Sequence, residues 1–214
     1  MLNHAENAGA GALLLSIEHS GRDGAIALSR AGDGAVLRVD AVPRGGRHQV
    51  DLMVYVAEAF KAVGAMPADL AAVVVAAGPG GFTGLRVAVA TAKSLCWATG
   101  AGLVAVPTLD VLVAQHPGAV VALNVKFKTA WSGGAVGPAA IRPVAELRDL
   151  ADRLGVPLVM DGEGGDLPVA PSVEVLARLG ADRWRGGERA DVVALEPLYV
   201  RETEAERKWR ERSS

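Results

Sequence analysis

Apolar residues in the first part of the chain come in short runs that are separated by turn-forming segments. The runs have strand length, and the segments EHSGRDG and RAGDG between them combine glycine with charged residues. We therefore predict three strands, at Leu13–Ile17, Ala25–Leu28 and Ala35–Val42. Short strands that are joined by tight turns predict an antiparallel meander.

Helical and strand patterns alternate after the meander. Segment 48–63 has apolar residues at helical spacing and is predicted to be a helix. Its predicted core stripe is Met53, Val56, Ala57, Phe60 and Val63. Apolar runs predict buried strands at 71–77 and 103–106, with a helix at 83–99 between them. The order βββαβαβ is typical of the ribonuclease-H-like module that actin, sugar kinases and the Hsp70 ATPase share.

The second half of the chain repeats this order weakly. It predicts a hairpin at 120–136, a helix at 143–154, a strand at 156–160 and a helix at 172–179. We expect an α/β protein with two ribonuclease-H-like (actin-like, ASKHA) lobes, of which the second is reduced. A single α/β sheet with an irregular C-terminal half is the alternative. The expected divisions are a disordered N-terminal tail (1–11), a first lobe (12–106), a reduced second lobe (107–200) and a charged C-terminal tail (201–214).

Composition narrows the class of protein. Half of the residues are apolar but only 4% are aromatic, so the core must consist mainly of alanine, valine and leucine. The net charge is -2, whereas a protein that grips a nucleic-acid backbone alone usually carries a basic excess. The single cysteine excludes an internal disulfide and a multi-cysteine metal site. No secretory signal or membrane-spanning run is recognisable, so we expect a cytoplasmic protein without membrane contact.

A glycine-rich loop at 78–84, GPGGFTG, follows the first buried strand and leads into a helix. It fails the P-loop pattern, because no lysine followed by serine or threonine ends the loop. It also fails the dinucleotide-binding pattern, because its last glycine comes one position late. A structural role is favoured, in which the glycines and Pro79 shape the turn and Thr83 caps the helix. An anion at the helix N-terminus is the alternative.

The helix after this loop carries unusually small residues at every fourth position. These residues form a ridge on which another helix can pack closely. A helix that is apolar nearly all round buries more than one face, so we expect the ridge and a stripe of the preceding helix to contact a partner protein. The predicted interface is His48, Leu52, Tyr55, Ala59, Gly84, Ala88 and Ala92. A central helix between two subdomains is the alternative.

The segment GPGGFTGLRVAVATAKSL resembles the signature G-P-G-S-F-T-G-L-R-[IV]-G-x-x-x-A-K-x-L of the TsaB family, also called YeaZ. The positions that carry the resemblance are Gly78, Pro79, Gly80, Phe82, Thr83, Gly84, Leu85, Arg86, Ala92 and Lys93. Three weaker matches keep the family's order: LLLSIEHS for a strand that ends I-D-T-S, RHQVDLM for R-H-S-E-x-L, and PLYVR (197–201) for P-x-Y-[LV]-R. The resemblance spans about residues 13–201.

Two regions depart from the family's pattern. Glu18 and His19 replace an aspartate and a threonine in the first hairpin, and Ser20 follows them. In ATP-using relatives of this fold that hairpin holds phosphate and metal, so these three residues are the candidate nucleotide hairpin. In the second lobe, NVKFK replaces D-A-R-[RK], with Asn124 for the acid and Lys126 for the arginine. The chain resembles a divergent member of the family.

The sequence offers no recognisable catalytic constellation. By the resemblance, catalytic relatives bind a metal through an H-x-x-x-H pair, whereas the histidines of this chain stand far apart, at positions 4, 19, 48 and 116. Cys96 lies mid-helix and is expected to be buried and inert. The acidic stretch MDGEGGD lacks EF-hand spacing and predicts a turn after a strand. We expect no catalytic residue and no metal site.

The resemblance implies a subunit that is not itself an enzyme. Such a subunit pairs with TsaD, the transferase that forms N6-threonylcarbamoyladenosine at position 37 of tRNA, and activates it. The implied further partners are a TsaE-type ATPase, tRNA only through the complex, and a second copy of the chain when it is alone. No cofactor of its own is implied, apart from ATP or ADP at the joint surface. The alternative is an independent enzyme, either a small actin-like ATPase or kinase or an M22-type peptidase.

Overall fold

A five-stranded sheet forms the first half of the fold. The structure, a computed structural model, describes residues 12–43, 52–161 and 163–200. The strands of the first sheet are β1 (Leu13–Glu18), β2 (Gly24–Arg30), β3 (Val36–Val42), β4 (Leu70–Gly78) and β5 (Gly102–Pro107). Their order in the sheet is β3–β2–β1–β4–β5. β1 pairs antiparallel with β2, and β2 pairs antiparallel with β3, so the predicted meander is confirmed. β4 pairs parallel with β1 on the other side.

Helices cover both faces of this sheet. On one face lie α1 (Leu52–Val63) and α2 (Phe82–Thr99), which pack against Leu15 of β1. On the opposite face lies α5 (Val173–Arg185), which packs in the same cluster as Leu14 of β1. Successive residues of a strand point to opposite faces, so an apolar strand such as β1 is buried on both sides.

The second sheet repeats part of the first. Its strands are β6 (Val120–Lys126), β7 (Thr129–Gly134), β8 (Ala140–Pro143) and β9 (Leu158–Met160), in the order β8–β7–β6–β9. Helix α4 (Val144–Leu154) covers one face and α3 (Thr108–Gln115) the other. This order matches β3–β2–β1–β4, and α4 connects β8 to β9 as α1 connects β3 to β4. The predicted α/β fold with two related sheets is confirmed.

Three short described elements are missing from the sequence prediction: α3, β8 and a 3-10 helix at Pro67–Asp69. α3 has only eight residues and β8 only four, and such short apolar runs do not show a period that separates helix from strand. The other described helices and strands agree with the prediction to within a few residues, except that α5 continues to Arg185, six residues beyond its predicted end. The predicted helix start at His48 and both predicted tails, 1–11 and 201–214, lie outside the described residues.

α5 belongs to the second half of the sequence but completes the first sheet. Its Leu176 and Ala181 share a buried cluster with Val74 and Val104 of the first sheet. Gly180 allows the close approach, because a Cβ at this position would lie 2.3 Å from Cγ1 of Val74. The division of the chain after residue 106 stays a prediction, and α5 packs on the sheet of the other side of that division.

Residues 190–200, which we call the C-terminal segment, run along the edge of the first sheet. The amide N–H of Ala190 donates a hydrogen bond of 2.7 Å to the carbonyl oxygen of Leu103. The amide N–H of Leu198 donates another of 2.7 Å to the carbonyl oxygen of Ala77. Two parts of the second half of the sequence, α5 and this segment, therefore both contact the first sheet.

The core has the composition that the sequence predicts. Its buried side chains are mainly leucine, valine and alanine, with Phe60 as a buried aromatic residue. Among the helices of the described ranges, none combines the length and the apolar character that crossing a membrane requires.

Candidate functional site

The glycine loop connects the end of β4 to the start of α2. The peptide bond between Gly78 and Pro79 is cis, and Gly78 has a φ of +108°, which favours glycine. A Cβ at Gly80 would lie 2.6 Å from both the Cβ and the carbonyl oxygen of Ser20, so glycine allows the loop to touch this residue. The N–H of Gly81 donates a hydrogen bond of 2.8 Å to the same carbonyl oxygen. These contacts support the prediction that the glycines of the loop have a structural role.

The capping prediction for Thr83 is wrong. α2 begins at Phe82, so Thr83 lies inside its first turn, and Gly81 is the N-cap residue without a side-chain cap hydrogen bond. The loop reaches the helix one residue earlier than the sequence suggests, because Gly81 already adopts the extended backbone of a cap.

The candidate nucleotide hairpin is filled by its own side chains. Glu18, His19 and Ser20 are 1%, 8% and 5% exposed. The amide N–H of Ser20 donates a hydrogen bond of 2.8 Å to a carboxylate oxygen of Glu18, and the Ser20 hydroxyl donates to the same oxygen. The ring of His19 occupies the space that a side chain at Gly24 would need. A phosphate could reach the Ser20 N–H only if its bond to Glu18 opened, so the nucleotide role stays a prediction.

The charged and aromatic residues of the signature contact the C-terminal segment. The guanidinium of Arg86 donates a hydrogen bond of 3.0 Å to the hydroxyl of Tyr199, 113 positions away. The same guanidinium lies 3.8 Å from the centre of the Phe82 ring, and the rings of Phe82 and Tyr199 are 5.4 Å apart. The signature and the PLYVR motif are therefore in direct contact, through Arg86, Phe82 and Tyr199.

Lys93 adds a second attachment for this segment. Its ammonium group donates to the carbonyl oxygens of Val193, at 2.8 Å, and Leu195, at 3.1 Å. Asp191 turns the backbone at this point: its carboxylate accepts the N–H groups of Ala194 and Val193, which hold the pKa of Asp191 below its ordinary value. Arg86 and Lys93, two cations of α2, thus attach the C-terminal segment to the chain's own fold.

The ridge that was predicted to contact a partner is buried inside the chain. Ala88 and Ala92 are 0% exposed and pack in the same cluster as Val75 of β4, and Gly84 is buried as well. Small residues let α2 lie close to its own sheet. The prediction that these three residues form a partner interface is therefore wrong, because they have no surface left for a partner.

α1 shows the same reversal. Leu52 and Ala59, predicted as interface residues, are 4% and 1% exposed and belong to the core, and Tyr55 packs half-buried against it. Met53 and Ala57, predicted as core residues, are exposed instead. The spacing is uninformative here because α1 carries apolar residues on both faces. The remaining predicted interface residue, His48, lies outside the described residues.

Exposed apolar side chains of the two helices define a different surface, which we call the outer face. It consists of Met53 and Val54 on α1 and Trp97 on α2, which are 42%, 55% and 88% exposed. Both helices lie on the same side of the sheet, so these side chains point away from the core. On a helical projection Trp97 lies opposite Ala88, so its exposure follows from the burial of the ridge. Met53 and Val54 lie in the first turn of α1 and Trp97 lies in the last turn of α2, so the outer face exposes apolar side chains at both of its ends.

Cys96 lies on the buried side of α2. It is 3% exposed, and its thiol contacts the carbonyl oxygen of Gly102 at 3.2 Å. Burial raises the pKa of this thiol to about 11. The prediction that this thiol is buried is confirmed, and its raised pKa agrees with the expected low reactivity.

The acidic stretch MDGEGGD forms a turn after β9, as predicted. The carboxylate of Asp166 accepts the N–H of Leu158 at 2.7 Å and the guanidinium of Arg148 at 2.9 Å, which together hold the pKa of Asp166 below its ordinary value. Asp161 accepts the N–H of Val169 at 3.0 Å. In the part of the chain that the structure describes, no three histidine, cysteine, aspartate or glutamate side chains are grouped to hold a metal ion.

A cavity of about 250 Å³ lies beside β5. It is lined by Val104, Ala105, Glu188, Arg189 and Ala190. The guanidinium of Arg189 lies 3.2 Å from the centre of the Trp184 ring and donates to the carbonyl oxygens of Trp184 and Glu188. Partial burial lowers the pKa of Arg189. This cation is occupied by contacts within the fold.

Comparisons with known proteins relate the sequence to tRNA modification. A family model described as TsaD, tRNA N6-adenosine threonylcarbamoyltransferase, matches residues 44–130. The tRNA threonylcarbamoyladenosine biosynthesis protein TsaB of Bacillus subtilis (strain 168) is 45% identical to this chain over 49 residues. That match covers 23% of this chain and 21% of the relative, so it spans only about a fifth of either protein.

Solved structures match over most of the chain. YeaZ from Pseudomonas aeruginosa superimposes with a TM-score of 0.68 at 19% identity and covers 88% of this chain and 100% of its own. A crystal structure of an uncharacterised protein similar to the peptidase YeaZ from Pseudomonas aeruginosa gives 0.67 at 20% identity, over 89% and 100% of the two chains. At these identities the likeness shows the fold. The short sequence match is to a TsaB protein and the fold is that of YeaZ, and both agree with the resemblance read from the signature.

Proposed function

We propose that this chain is a TsaB-type subunit of the machinery that forms N6-threonylcarbamoyladenosine in tRNA, and that it pairs with and activates a TsaD-type transferase. One combination carries the proposal: a sequence match to the TsaB protein of Bacillus subtilis coincides with a YeaZ-like fold over 88% of the chain. The family-model match to a threonylcarbamoyltransferase over 44–130 is consistent with this, because it falls within the same fold.

The residues of the chain support an accessory role rather than a catalytic one. The H-x-x-x-H pair that the resemblance ascribes to catalytic relatives is absent from the sequence, whose four histidines lie far apart. The candidate nucleotide hairpin is closed by the buried pair Glu18 and Ser20. ATP or ADP, if the complex uses it, would bind at the joint surface with the partner.

The outer face is the proposed pairing surface. Trp97 is the most exposed of its residues, and tryptophan is enriched among the residues that dominate binding energy at interfaces. Without a transferase, a second copy of the chain would cover the outer face. A TsaE-type ATPase would join the assembled pair, and tRNA would bind to the complex rather than to this chain alone.

Reconstitution tests this function. The chain is co-expressed with the TsaD-type protein of the same organism, and tRNA threonylcarbamoylation is measured with and without it. We expect a complex that is stable to size-exclusion chromatography and modification that depends on the chain. Failure to form a complex, together with modification that does not need the chain, would show that the proposal is wrong.

Substitution of Trp97 by alanine tests the pairing surface. Because the side chain is 88% exposed, the fold should tolerate its loss. We expect pairing to weaken by roughly thirtyfold, which corresponds to about 2 kcal/mol for an interface hot spot. The matched control is Val193→Ala, since Val193 is 86% exposed but lies on the C-terminal segment. Equal affinities of the two variants would place the interface elsewhere.

A further inference from the structure

The turn between β6 and β7 presents an exposed aromatic ring. Phe127 stands at its tip and is 74% exposed, and its neighbours Lys126 and Lys128 are exposed as well. The ammonium group of Lys126 lies 5.4 Å from the centre of the Phe127 ring. We call these three residues the hairpin tip.

The backbone of the hairpin tip is strained. Phe127 and Lys128 have positive φ values of +52° and +60°, which are uncommon for residues other than glycine. A two-residue hairpin turn with two positive φ values normally carries Asn-Gly or a similar pair, and a bulky residue there is an outlier. Retained strain of this kind is common at binding sites. The strain favours a function for the ring and the cations, since a smaller pair would form the same turn more easily.

The sequence on both sides of the hairpin tip lacks acidic residues over a long stretch. No aspartate or glutamate lies between Asp110 and Glu146, although the whole chain has a net charge of -2. The N-terminus of α4 also lies beside the tip, because the N–H of Val144 donates a hydrogen bond of 2.9 Å to the carbonyl oxygen of Lys128. Glu146 in the first turn of α4 is the first carboxylate that follows along the chain.

We propose that the hairpin tip is an RNA contact, at which the Phe127 ring stacks on an unpaired base and the two lysines bind flanking phosphates. A ring between cations on an exposed turn matches the chemistry of single-stranded nucleic acid, where each base offers a π face and each linkage a negative charge. An uncharged protein surface would use the ring but not the lysines. This inference rests on the proposed function, which brings a tRNA with unpaired loop bases to the complex.

Aromatic and aliphatic substitutions separate stacking from apolar contact. The affinity of a fluorescent tRNA transcript is measured by anisotropy for the complex of the full chain with its TsaD-type partner. We expect Phe127→Leu to weaken binding by on the order of tenfold, because stacking on one base is lost, and Phe127→Trp to retain it. A Phe127→Leu complex that binds as tightly as the original would overturn the proposal.

The lysines are tested through the salt dependence of binding. Replacing both Lys126 and Lys128 by glutamine should make the slope of log affinity against log salt shallower by about 1.4, because each contact with a single strand contributes about 0.7. The matched control is Arg178→Gln, which removes an exposed cation from α5 and should leave the slope unchanged. An unchanged slope in the double variant, or tighter binding of anionic vesicles than of tRNA by the unaltered complex, would also overturn the proposal.

One variant keeps the result independent of folding. Phe127→Asn places a residue that tolerates positive φ in the turn, so its Tm should be equal to or higher than that of the original chain while tRNA binding weakens. A Phe127→Asn complex that still binds tRNA tightly would contradict the proposal. Complex formation is followed separately by size-exclusion chromatography without RNA, so a failed pairing with the transferase is distinguished from a failed RNA contact.

Discussion

Arg86 connects the strongest motif of the sequence to the end of the fold. Its guanidinium lies over the Phe82 ring and donates to the hydroxyl of Tyr199. Replacement by leucine removes a cation–π contact and a hydrogen bond, so we expect the C-terminal segment to lose about 1–2 kcal/mol of local stability. Hydrogen exchange of the Leu198 amide, which donates to Ala77, reports this directly. Exchange should be unaffected by Arg178→Leu, and faster exchange in both variants would mean that the effect is not local.

Burial of Cys96 makes the stability of the chain depend on alkaline pH. The thiol has its pKa raised from 9.0 to about 11 because it is buried, so the folded state favours the protonated form. Its contribution is fully present below pH 9 and is lost as the pH rises to about 11. We expect the free energy of unfolding to fall more steeply over this range in the original chain than in Cys96→Ala. Identical pH profiles in chemical denaturation would show that the thiolate is not disfavoured in the folded chain.

Single residues show which parts of the site the sequence can reveal. The burial of Cys96 agrees with the sequence prediction, although apolar neighbours alone do not decide it, since the adjacent Trp97 is 88% exposed. The contact of Arg86 with Tyr199 is not predictable, because 113 positions separate them and only the tertiary fold brings them together. The cap at Gly81 is missed for a local reason, since Thr83 has the side chain of a capping residue but glycine already provides the required backbone.

The glycine loop holds two elements together, and its closest contact is testable. In Gly80→Ala the new methyl group would lie 2.6 Å from atoms of Ser20, so the loop or the hairpin must shift. We expect a loss of roughly 1–3 kcal/mol in the free energy of unfolding, measured with denaturant. The control is Gly32→Ala, because no atom lies within 4 Å of a Cβ at Gly32. If the two variants are equally stable, the loop has room that its geometry does not suggest.

Helix orientation is the element-scale feature that spacing could not supply. α1 and α2 carry apolar residues on most of their surface, so more than one stripe fits the helical period. The sheet decides between them: small residues such as Ala88 and Ala92 turn inward where space is limited, and Trp97 turns outward. The buried strands are easier to predict from the sequence. All of their residues are apolar and both faces are buried, so no choice between an inner and an outer face is needed.

The first sheet cannot be completed by the first half of the chain. Leu14 and Val74 on one of its faces are covered by Leu176 and Ala181 of α5. We expect a fragment of residues 1–106 to lack cooperative unfolding, because this face would be exposed to water. Circular dichroism during thermal unfolding measures this, and addition of a fragment of residues 107–214 should restore a transition. A cooperative transition of 1–106 alone at the Tm of the whole chain would show that α5 is dispensable.

The position of α5 also determines the order of events at the ribosome. The strands of the first sheet have all been synthesised by residue 107, but their final cover comes from the helix that ends at Arg185. At about 5–20 residues per second, the nascent chain therefore carries a half-covered apolar sheet for several seconds. Folding of the first sheet must wait until α5 has been synthesised, and during that interval the nascent chain exposes the kind of apolar surface that chaperones recognise.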